Sequence, residues 1–115
     1  MASPATYNQV VPQSTTYQFA FQIQDSVTGP WNLTGYGVTM TVRPFLGSTS
    51  VTLLATIDNG RITVDAPNGK VTVTLSALDT TLKAEPYVYD LVLDSGTIIT
   101  RALEGQFIVT AGVTV

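Results

Sequence analysis

The dominant period in this chain is two. Tyr17, Phe19, Phe21 and Ile23 alternate with Gln18, Ala20, Gln22 and Gln24, which puts apolar side chains on one face of an extended segment and mostly amides on the other. Tyr36, Val38, Met40 and Val42 alternate with Gly37, Thr39, Thr41 and Arg43 in the same way. Further short runs follow at Val51-Thr52-Leu53, Ile62-Thr63-Val64, Val71 to Leu75, Tyr87 to Leu93, Ile98-Ile99 and Phe107-Ile108-Val109. Thr recurs at the outward positions because its branched Cβ suits an extended backbone while its hydroxyl faces water. The alternation predicts a core containing Phe19, Phe21, Val38, Met40, Val73, Leu91 and Phe107, with Gln18, Gln22 and Thr39 more exposed.

Turn chemistry separates these runs. Asp58-Asn59-Gly60-Arg61 and Pro67-Asn68-Gly69-Lys70 both carry Asn-Gly, a strong hairpin signal because both residues tolerate positive φ. Asp94-Ser95-Gly96-Thr97 is a third tight turn, and Asp25 to Gly35 is the longest connection in the first half. Roughly seven to nine short antiparallel strands at this spacing predict an all-β fold, an immunoglobulin-like β-sandwich, as one domain over residues 1–115. Residues 1–13, with Pro4 and Pro12, read as an edge strand or an N-terminal arm. One segment breaks the period. Leu78 and Leu82 stand at i, i+4, and Ser76 and Asp79 form a capping-box pattern, which predicts a short helical crossing closed by Pro86. Tyr87 follows that crossing, where such sandwiches carry a tyrosine corner.

Composition narrows the function. Apolar residues make up 44% of the chain and charged residues 11%, against about 25% charged in an ordinary soluble domain. A polar but weakly charged surface favours close contact over mutual repulsion. The net charge is −3, and Arg43, Arg61, Lys70, Lys83 and Arg101 form no run, so nucleic acid is not an expected partner. No apolar run approaches the 18 or so residues of a membrane helix, and Met1 to Ala5 lacks the features of a secretory signal. The expectation is a soluble protein made in a cytoplasm, with no membrane partner. Asn32-Leu33-Thr34 matches a glycosylation acceptor only by coincidence on that reading.

With neither His nor Cys, the chain lacks Ser-His and Cys-His pairs and imidazole or thiolate metal ligands. The carboxylates Asp25, Asp58, Asp65, Asp79, Glu85, Asp90, Asp94 and Glu104 fall mostly in turns, and no spacing pairs two of them across a cleft. No enzyme, cofactor or metal site is expected. Asp90 lies mid-strand. A two-residue turn at Ser95-Gly96 would place Arg101 opposite it, giving a cross-strand ion pair worth about 0.2–1 kcal/mol. Trp31 sits in a Gly-Pro-Trp-Asn loop, where it stacks on a sugar, fills a partner's pocket, or plugs the end of its own sandwich; the last is the plainest reading. The candidate partner contacts are Trp31, Asn59, Arg61, Asn68, Val113 and Val115. The uncharged run Thr110 to Val115, read as part of an edge, is where a partner would cover the chain.

Taken in order, these segments resemble a family of small tailed-phage and prophage proteins. The residues carrying the likeness are Tyr17 to Ile23, Leu33 to Tyr36, Val42-Arg43, Asn59 to Thr63, Gly69 to Val71, Leu75 to Thr80, Tyr87 to Leu91 and Thr100 to Val109. The chain is similar, more loosely, to the immunoglobulin-like N-terminal domain of phage upper baseplate proteins, which anchors a larger receptor-binding part to the virion. Within residues 1–115 neither a coiled stalk nor a receptor-binding part is expected. The resemblance implies a virion structural protein whose partners are other virion subunits of the tail, baseplate or capsid, with self-association also possible. A capsid decoration (cement) protein and a carbohydrate-binding adhesin module are the alternatives, the second resting on Trp31 and the tyrosines.

Overall fold

Two β-sheets pack face to face in the computed structural model, which describes residues 5–25 and 29–112. Val113 and Val115 lie outside the described residues. The strands in chain order are β1 (Ala5–Thr6), β2 (Gln9–Pro12), β3 (Tyr17–Gln22), β4 (Gln24–Asp25), β5 (Gly29–Pro30), β6 (Gly37–Arg43), β7 (Leu53–Thr56), β8 (Ile62–Asp65), β9 (Lys70–Leu75), β10 (Pro86–Asp94) and β11 (Ile99–Thr110). The larger sheet runs β1-β11-β10-β6-β7, with β2 also on β11, and the smaller runs β3-β9-β8. A separate two-strand ladder joins β4 and β5.

With the short β4–β5 ladder and the additional strand β7 set aside, this strand order is that of an immunoglobulin-like sandwich: β3, β9 and β8 oppose β6, β10 and β11, as the second, fifth and fourth strands there oppose the third, sixth and seventh. A second feature agrees. The Tyr87 hydroxyl, at the start of β10, donates to the Lys83 carbonyl at 2.9 Å, closing the expected tyrosine corner.

The alternation fixes the core. Val38, Met40 and Val42 of β6, Leu91 and Leu93 of β10, and Phe107 and Val109 of β11 meet Val71, Val73 and Leu75 of β9, all buried. Phe19 and Phe21 depart from the expectation: they face the core and pack against it but are only half-buried. The reason is position. β3 is the edge of its sheet, and among the described residues no further strand covers the outer flank of its rings.

Four other expectations are corrected. The strands are not all antiparallel: β1 and β2 run parallel to β11, in one continuous register from Ala5↔Leu103 to Pro12↔Thr110. The last strand is therefore interior and not an edge. Asn59-Gly60 does not close a hairpin, because β7 pairs with β6 and β8 with β9, so this turn carries the chain from one sheet to the other. Pro67 to Gly69 does lie in a hairpin, joining β8 to β9. Ser95 to Ile98 forms a four-residue connection, closed by Ser95 N–H donating to the Ile98 carbonyl at 3.0 Å.

The fourth correction concerns the crossing. Ser76 and Asp79 make both capping-box bonds, Ser76 N–H to Asp79 Oδ2 at 2.9 Å and Asp79 N–H to Ser76 Oγ at 3.1 Å. Even so, the segment is a turn and not a helix. Thr80, fully buried, donates its hydroxyl to the Thr15 carbonyl at 2.6 Å and accepts from the Thr15 N–H at 2.9 Å. That tie to the β2–β3 turn holds the segment to a single turn. Leu82 packs on the core while Leu78 stays exposed.

Candidate docking surfaces

Arg43 ends β6 and organises the loop that follows. Its guanidinium donates to the carbonyls of Ser48 at 3.2 Å and Ser50 at 3.4 Å, and Ser48 N–H donates back to the Phe45 carbonyl at 3.1 Å. So held, the loop raises one wall of an open groove of about 860 Å³ on the outer face of the larger sheet. Thr41, Asp90, Arg101, Glu104 and Gln106 line its floor. The loop leaves Phe45 63% and Leu46 91% exposed, and Val51 further along it is exposed as well. Isolated exposed apolar residues are ordinary, but several together on one loop mark a contact surface.

The groove floor is charged but balanced. Asp90 and Glu104 stand directly opposite each other on β10 and β11. Like charges so placed repel. Arg101 relieves this, with Nε 3.3 Å from Asp90 and Nη1 3.7 Å from Glu104. The Asp90–Arg101 pair forms as expected, but along a diagonal. The four-residue Ser95 to Ile98 connection puts Val92, and not Asp90, across from Arg101. A register shift between Leu91 and Val92 then brings Glu104 opposite Asp90, a juxtaposition hidden in the sequence because a bulge leaves no signal in the alternation. Each carboxylate has a guanidinium beside it, and among the described residues no group of three or more His, Cys, Asp or Glu is placed to hold a metal ion.

The sequence-predicted contact residues are dispersed, and those described have internal partners. The Trp31 side chain is half-buried and packs against the core of its own sandwich, and its backbone N–H donates to the Ile23 carbonyl at 2.9 Å. Gly69 is required there. It has φ +64°, and a Cβ on it would lie 2.6 Å from the Trp31 carbonyl oxygen. Asn68 donates to Asp65 Oδ2 at 3.0 Å within the β8–β9 turn.

Asn59 and Arg61 act together on the edge of β7. Asn59 Nδ2 and Arg61 Nη1 both donate to the Leu54 carbonyl, at 2.9 and 3.1 Å, while Asn59 Oδ1 accepts from Thr56 N–H at 3.0 Å. These side chains occupy backbone groups that another strand would need, so that edge is blunted. Arg61 also pairs with Asp79 at 2.7 Å. The guanidinium bond holds the Asp79 carboxyl down at about 2, against a smaller opposing push from burial and with further bonds from Ser76.

Comparison with models of known protein families finds no match. Comparison with characterised proteins finds no significant relative.

Proposed function

We propose that this protein is a structural protein of a tailed-phage virion, a small immunoglobulin-like module that docks onto other virion subunits in the tail or baseplate. The order of motifs from Tyr17 to Val109 supports the virion class, and the strand order with its tyrosine corner is the fold that class implies. The observation that carries the docking role is the Arg43-braced loop, which holds Phe45 and Leu46 out in solvent beside a groove of balanced charge. Such a loop supplies apolar anchors, and the paired charges around it supply a polar rim. The adhesin alternative loses its main support, because Trp31 is packed into its own domain.

The test is incorporation into particles. Density-purified virions, separated into heads and tails and analysed by mass spectrometry, should contain the chain in the tail fraction. Recovery in heads would assign the capsid decoration role instead. A Phe45→Ser, Leu46→Ser double variant should fold normally, since both side chains are exposed, yet incorporate about tenfold less, as loss of over 1 kcal/mol at an anchor implies. A chain found only outside particles would overturn the proposal.

A further inference from the structure

A sandwich exposes its sheet edges, and among the described residues three of the four carry guards. β2 ends in Pro12, which has no N–H, and its β7 counterpart is occupied by Asn59 and Arg61. β8 is four residues long, with Arg61 before it and Asp65 at its end. The fourth edge, β3, carries neither Pro nor charge over the six residues Tyr17–Gln22, and among the described residues no strand lies on its outer side. Unguarded edges are templates for pairing.

The direction of the free groups follows from one bond. Ile23 N–H donates to the Gly69 carbonyl at 2.8 Å, toward the β8–β9 hairpin. In an antiparallel strand backbone groups alternate sides, so those of Tyr17, Phe19 and Phe21 also point to β9 and those of Gln18 and Ala20 point outward. The side chains add a second observation. Tyr17, Phe19 and Phe21 form a continuous row, with ring centroids 5.9 and 6.4 Å apart, and each is left half-buried at this edge.

We propose that β3 pairs antiparallel with β3 of a second copy of this chain, about a twofold axis at Phe19. The occupant is specified by self-complementarity. That register sets Gln18 opposite Ala20 of the partner, which joins the outward backbone groups. It sets Phe19 against Phe19 and Tyr17 against Phe21, at the non-hydrogen-bonded positions where side chains approach closest. The aromatic row is thus completed on its open flank, and two three-stranded sheets become one of six strands. A charged partner strand would gain nothing from an edge with no charge to meet it. The inference does not depend on the virion role.

The full chain should sediment at twice its monomer mass in analytical ultracentrifugation at high concentration. Ala20→Pro should give a folded monomer, because it removes an outward N–H, the one place a strand tolerates Pro. Ala20→Lys, which keeps the N–H and adds a charge, should also be a monomer, with unchanged circular dichroism. Phe19→Cys introduces the sole thiol into a chain without Cys and should yield a disulfide-linked dimer on mild oxidation, since facing residues there lie within disulfide reach. A native chain that stays monomeric, a dimer that persists in both Ala20 variants, or a Phe19→Cys chain that does not cross-link while still dimeric would each overturn the proposal.

Discussion

Arg61 and Asp79 show how single side chains tie this fold together. Arg61 leaves the turn that joins the sheets, and Asp79 caps the crossing at the end of the sandwich, so their bond links two connections 18 residues apart. The capping role of Asp79 was legible, because Ser76 and Asp79 have capping-box spacing. Its ion pair was not, because no local pattern brings Arg61 to it. The consequence is a pH dependence with a definite sign. Folding holds the Asp79 carboxyl at about 2 against an ordinary 3.8, so its stabilisation is present above about pH 4 and is lost as pH falls through about 2. Asp79→Asn should cost about 1–2 kcal/mol at pH 7, the worth of hydrogen bonds to a charge less screening at the partly exposed Arg61. In denaturant titrations that gap should shrink between pH 4 and pH 2; a gap constant with pH would refute the assignment.

At the scale of elements, strands were legible where one face is buried and illegible where a tertiary contact decides. β6, β9 and β10 follow the alternation because each has a sheet packed on one side. The short helical crossing failed because Thr80 takes its hydrogen bonds from Thr15, a partner 65 residues away. Asn59-Gly60 carries a hairpin signature yet joins two sheets, since a turn specifies a reversal and not which neighbours its strands find. The N-terminal strand shows the same limit. Between β1 and β2 the backbone at Tyr7 dips inward, where the Tyr89 hydroxyl donates to its carbonyl at 2.6 Å, and Asn8 Oδ1 accepts from Gln106 N–H at 3.0 Å in place of a ladder bond. Gly105 makes room for this: a Cβ there would press into the Tyr7 carbonyl. Gly105→Ala should therefore destabilise the domain by about 1–3 kcal/mol, as overpacking does, and loosen residues 5–12 selectively in hydrogen exchange. Unchanged protection of those residues would show that the close approach does not matter.

For the whole molecule, composition and turn spacing carried the all-β sandwich, while the parallel N-terminal strand and the identity of the edges emerged only on assembly. The candidate site divides the same way. The residues picked from the sequence, Trp31, Asn59, Arg61 and Asn68, drew notice as turn or loop residues, and folding engages each in holding its own turn or edge. Phe45 and Leu46 gave no signal, because a short apolar pair reads as core until Arg43 is seen to brace the loop outward. A chain with 11% charged residues and a net charge of −3 has little repulsion to keep partners away. The docking account is tested most directly by a photo-cross-linking amino acid at position 46, illuminated in assembled particles and read by mass spectrometry. It predicts a covalent link from that loop to a different virion subunit. Particles that contain the chain but yield no such link, or links only between copies of this chain, would contradict it.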